Sequence, residues 1–102
     1  RLEEWRRLLP PLLRRIPRRI YLTVDMDFFD PSVVPGVGTP EPGGGGWYDT
    51  LDLLDAILAE KEVIGFDIVE LCPPREKGVS VRAAARLAEY LLGGSLPPAA
   101  RS

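Results

Sequence analysis

Two apolar runs constrain this chain more than any other feature. "RIYLTVDM" (residues 19–26) and "EVIGFDIVEL" (residues 62–71) are rich in β-branched and aromatic residues with little polar alternation. Strands buried on both faces read this way, and that burial is the usual condition of a parallel sheet. Parallel strands need a crossover, and the intervening "WYDTLDLLDAILAE" (residues 47–60) supplies one. Leu51, Leu54 and Leu58 recur at helical spacing, and Asp49 falls in the first turn, where the helix dipole favours a negative charge. Pro73-Pro74 stop the second run, Ser80 is the expected N-cap, and a last helix is expected over about 81–92, closed by Gly93-Gly94. Strand, helix, strand, helix predicts an α/β chain, a βαβα unit on a parallel sheet. Two strands do not finish such a sheet, so the remaining strands are expected elsewhere in a parent protein.

Residues 1–18 precede this unit as a basic helical segment, which Pro10-Pro11 are expected to end or kink. Residues 95–102 read as a frayed tail. Seven arginines against Glu3 and Glu4 make residues 1–19 net +5 and leave −7 for the rest, within a net charge of −2. A basic helix on an acidic body implies a solvated or docking face rather than a nucleic-acid surface. Trp5, Leu8, Leu9, Leu12 and Leu13 form a stripe that suits core packing or docking to another subunit. No apolar run reaches the length of a membrane span, and Cys72, the single cysteine, fits a reducing, cytoplasmic setting. The chain contains no histidine.

The first strand runs into Asp25-Met26-Asp27, then a loop over 27–46 with four prolines and six glycines. In open α/β sheets ligands bind beyond the carboxyl ends of the strands, where Asp25, Asp27 and, on the second strand, Glu70 stand. Two carboxylates two residues apart on a strand face the same side and repel unless a cation lies between them. The bland alternative is that one aspartate caps the loop and the other is solvated. A loop of this length in a compact domain is usually functional, which favours the cation. An EF-hand calcium loop is excluded, because Phe29 and Asp30 occupy the positions that need an oxygen ligand and a glycine. The start of a haloacid dehalogenase type phosphatase is also an apolar strand into D-x-D, but Phe28-Phe29-Asp30-Pro31 departs from its usual continuation.

A closer match is available. "TVDMDFFDPSVVPGVGTPEPGG" (residues 23–44) resembles the signature of the ureohydrolase family, the arginases and agmatinases, and "GFDIVELCPP" (residues 65–74) resembles that family's later motif. The resemblance covers about residues 19–94, the C-terminal part of a three-layer α/β/α ureohydrolase domain. It implies that Asp25 and Asp27 are two ligands of a binuclear manganese centre, the first bridging both ions. It further implies that Glu70 grips the guanidinium group of the substrate and that Thr39 lines the same pocket. Asp30 is expected to accept loop backbone N–H groups, and Asp67 either to support a ligand from behind or to serve structure alone. The implied reaction is attack of metal-bound hydroxide on the guanidinium carbon, releasing urea; no general base is identifiable in the chain. "GTPEPGG" is most like the agmatinases, with putrescine as the other product and a trimeric or hexameric parent. The family's remaining ligands, histidines among them, lie in a preceding half, so the chain alone is expected to be inactive. A non-catalytic relative, or a truncated product, that only docks to other subunits is the competing expectation. Two departures stand out: Gly45-Gly46 replace an apolar residue and a hydroxyl N-cap, and "REKG" (residues 75–78) replaces a common aromatic and aspartate.

Overall fold

A computed structural model describes residues 2–95. Its elements are α1 (Leu2–Arg15), β1 (Arg19–Asp25), a 3-10 turn (Met26–Phe28), α2 (Trp47–Glu60), β2 (Glu62–Val69) and α3 (Val79–Ser95). The strands pair in parallel, with Leu22 opposite Phe66, Val24 opposite Ile68 and Asp25 opposite Val69; an irregularity follows Ile20. Strand, crossover helix and returning strand therefore form the βαβα unit that the apolar runs predict.

The core lies on one face of this sheet. Met26, Phe29, Val34, Val37, Leu54, Ala83, Leu87 and Leu91 are buried there, and Leu22, Val24, Phe66 and Ile68 pack against them. Three of the eight, Phe29, Val34 and Val37, come from the long loop, so that loop is anchored in the core rather than laid over it. The opposite face differs from the expectation of two-sided burial. Along β1, Arg19, Tyr21, Thr23 and Asp25 are exposed and alternate with half-buried residues. Tyr21 is 59% exposed and Ile64 57% exposed, because the described residues supply a covering layer on one face alone.

Three local expectations are corrected. Helix α1 runs unbroken through Pro10 and Pro11. The prolines remove two backbone donors, but Leu9 and Leu13 are buried, Arg6 of α1 meets Asp52 of α2 at 3.3 Å, and just past the ends of both helices Lys61 Nζ donates to Ile16 O at 2.9 Å. Packing thus outweighs the intrinsic cost of proline. Leu8 and Leu12 remain exposed, while Trp5, though partly exposed, meets the Phe28 ring edge-on at 6.3 Å. Helix α3 starts at Val79 and continues through Gly93-Gly94 to Ser95. Its cap is Glu76, whose carboxylate accepts the N–H groups of Gly78, Val79 and Ser80 at 2.6, 3.1 and 2.8 Å. Three donors left over at a helix start are thereby satisfied at once. Ser80 is instead fully buried, and its hydroxyl accepts the Gly36 N–H at 2.8 Å. From residue 96 onward the expected tail lies outside the described residues.

Candidate active site

Asp25 ends β1 but Asp27 does not continue it. The chain turns at Met26–Phe28, and Asp25 Oδ1 caps that turn by accepting the Asp27 N–H at 2.8 Å. A tight turn, not strand alternation, brings these two carboxylates to the sheet edge. Met26 between them is fully buried, which fixes the turn in the core while Asp25 is exposed and Asp27 half-buried. Thr39 closes on Asp27 from the far side of the loop. Its hydroxyl donates to Asp27 Oδ2 at 2.9 Å, and its N–H reaches Oδ1 at 3.4 Å. Neither aspartate takes part in the two arginine ion pairs found among the described residues, Arg6–Asp52 and Arg19–Glu62.

Glu70 follows the end of β2 and has a left-handed backbone, φ +66°. Alternation along the strand therefore does not set its direction. Its carboxylate stands against Gly38, where an added Cβ would lie 3.5 Å from Glu70 Oε2. Gly38 precedes Thr39, so Asp25, Asp27, Thr39 and Glu70 form one neighbourhood beyond the carboxyl ends of the two strands.

Asp30 organises the loop beneath them. Its carboxylate accepts the Ser32 N–H at 3.0 Å, the Ser32 hydroxyl, and the Gly43 N–H at 2.8 Å. These donors, led by the Ser32 hydroxyl, hold the Asp30 carboxyl below the usual carboxylate range. The two arms of the loop also join through Asp30 N–H to Gly45 O at 3.0 Å and Gly45 N–H to Phe28 O at 2.8 Å. A Cβ on Gly45 would lie 2.3 Å from the Phe28 ring, so a larger residue there has to displace that ring. Phe28 thus occupies space that a larger residue at 45 would need. Gly46, as the sequence suggests, provides no side-chain cap to α2.

Asp67 lies on the exposed face of the sheet, opposite Thr23. The Tyr21 hydroxyl donates to its Oδ2 at 3.1 Å, while its Oδ1 is buried without a hydrogen-bond partner. Sequence reasoning missed Glu76 and the conformation of Glu70, and it gave Ser80 the capping role that Glu76 fills. A carboxylate a few residues ahead of an apolar helical run was the available signal for Glu76; the backbone angle of Glu70 had none.

The donor chemistry of Asp25 and Asp27 suits a hard divalent cation. Among the described residues, however, no group of three or more metal-ligating side chains is assembled, so these two carboxylates fit part of a metal centre and not a whole one. A cleft of about 610 Å³ between α1 and the start of α2, lined by Trp5, Phe28 and Asp49 among others, includes none of the four clustered residues.

The arginase family model matches residues 3–93. The chain belongs to the arginase family. The N(1)-aminopropylagmatine ureohydrolase of Synechocystis is 50% identical over 76 residues, which cover 74% of this chain and 25% of that protein. The agmatinase of Pyrococcus horikoshii is 38% identical over 84 residues, covering 82% of this chain and 30% of the relative. Among solved structures, the agmatine ureohydrolase of Thermoplasma volcanium superposes with a TM-score of 0.71 at 33% identity, over 91% of this chain and 29% of that one. The chain therefore spans between a quarter and a third of the length of these relatives, and its two-stranded α/β unit is a portion of the arginase fold.

Proposed function

We propose that this chain is the part of an arginase-family hydrolase that contributes two metal-binding carboxylates and the guanidinium grip. The reaction is hydrolysis of a linear guanidino amine of the agmatine kind to urea and the free amine, putrescine where agmatine is cleaved. One observation carries the reading: Asp25, Asp27, Thr39 and Glu70, drawn from three separate segments, gather beyond the strand ends. The similarity to an aminopropylagmatine ureohydrolase and to agmatinases supports the substrate class.

Each residue has a defined task. Asp25 and Asp27 would hold manganese, which supplies Lewis-acid activation of water when bound. The Asp27 N–H fixes one oxygen of Asp25, and Thr39 fixes the Asp27 carboxylate, so both donors are oriented before a cation arrives. Glu70 meets the planar, forked N–H donors of a guanidinium and sets its orientation. With no histidine and only a partial donor set, the chain by itself releases no urea.

A chimera tests this. The matching quarter of the Synechocystis relative is replaced by the corresponding residues of this chain, and urea release is measured with agmatine and with aminopropylagmatine. The chimera should be active with at least one, and Asp25→Asn or Glu70→Gln within it should bring release to background. A folded, manganese-loaded chimera without activity, beside an active parent enzyme, contradicts the assignment.

A further inference from the structure

Among the described residues, Glu70 is alone in carrying a side chain on a left-handed backbone. That conformation crowds a Cβ against the following carbonyl, and it persists only where the surroundings over-determine it. The surroundings here are two pairings of opposite sense on either side of one residue. Before Glu70, Val69 is laddered in parallel with Asp25. After it, Leu71 bridges Val37 in antiparallel fashion, and the Cys72 N–H donates to Gly36 O at 2.6 Å. Val37 is fully buried, and Gly36 is itself pinned by the Ser80 hydroxyl, so this second pairing is anchored in the core. Glu70 alone must turn the chain from one pairing to the other.

We propose that the tether between Gly36-Val37 and Leu71-Cys72 is a positioning device that holds Glu70 in its strained conformation, so that its carboxylate stays against Gly38 beside the Thr39–Asp27 pair. Gly38 serves the same end by leaving that space free of a side chain. The proposal deepens the functional reading and rests on its assignment of Glu70 as the guanidinium partner.

Denaturation of Glu70→Gly and Glu70→Ala separates strain from chemistry, because both variants lack the carboxylate. At an ordinary backbone angle alanine is the more stable of the two. At φ +66° the order reverses, and the unfolding constant of the glycine variant should be about five- to thirtyfold smaller. An alanine variant at least as stable as the glycine one overturns the proposal. Cys72→Pro, which deletes the tether donor and keeps Glu70, addresses position. The nuclear Overhauser contact between the Glu70 side-chain methylenes and the Gly38 Hα should be present in the native chain and lost in this variant. Persistence of that contact overturns the positioning role. Agmatine, compared with putrescine (which lacks the guanidino group), should shift the Thr39 and Glu70 amides of the native chain, and less so in Cys72→Pro. Equal shifts from the two amines in the native chain remove the guanidinium assignment and the purpose of the tether, while leaving the stability order to stand or fall by itself.

Discussion

Replacing Ser80 with alanine removes the buried acceptor on which the Thr39 loop is anchored. The hydroxyl is fully buried and accepts the Gly36 N–H at 2.8 Å. The backbone is closely packed there, since a Cβ on Gly36 would lie 2.2 Å from Glu76 O. Leaving a buried backbone donor unsatisfied costs about 1–3 kcal/mol. For a domain of this size, each kcal/mol corresponds to a fall in melting temperature of roughly 4–8 °C. Ser80→Ala should therefore melt about 8–16 °C lower at the middle of that range. Circular dichroism gives the shift, and amide hydrogen exchange gives its location. Loss of a helix cap would lower stability by a similar amount, but it would expose the first-turn amides of α3. Ser80→Ala should instead accelerate exchange at Gly36 and its loop neighbours. A change below about 0.5 kcal/mol, or faster exchange confined to α3, refutes the reasoning.

Three further outcomes are expected. Asp30 and Glu76 both have carboxyls held below their usual range, by Ser32 and Ser80 respectively ahead of the other donors. A carboxylate with a depressed folded pKa contributes stability that is complete above its unfolded value of about 4 and is lost as the pH falls through the folded value. Acid melts of Asp30→Asn and Glu76→Gln should accordingly show a smaller decline below about pH 4 than the native chain, and an unchanged decline contradicts the assignment. Gly45→Leu should destabilise by about 1–3 kcal/mol in urea titration because the Phe28 ring fills the space. Combining it with Phe28→Ala should recover part of that loss, and strict additivity would contradict the steric coupling.

How far the sequence was legible depended on what each element answers to. The strands and α2 answer to hydrophobic pattern, so β1, β2 and α2 fall where residues 19–26, 62–71 and 47–60 place them, to within two residues. Helix α1 answers to packing that sequence does not display, and it runs through Pro10-Pro11. The site was legible as composition and order rather than geometry. The sequence names Asp25, Asp27, Thr39 and Glu70, yet the strand alternation invoked to align them is replaced by a 3-10 turn at one strand end and a left-handed residue at the other. Both are local departures produced by long-range anchors: Met26 in the core and Val37 beside Leu71. Asp30 was readable because its donors lie close by in the loop, whereas the roles of Glu76 and Ser80 depend on how α3 meets Gly36.

The central claim is that the Asp25–Asp27 turn is built to receive a divalent cation. Titrating the isotopically labelled chain with Mn²⁺ tests it directly, because the paramagnetic ion broadens nearby amide resonances. Broadening should appear first at residues 25–27 and 39, and it should vanish there in the Asp25→Asn, Asp27→Asn double variant. Broadening that begins instead along the acidic face of α2, at Asp49, Asp52 and Asp55, or that the double variant leaves intact, contradicts the account.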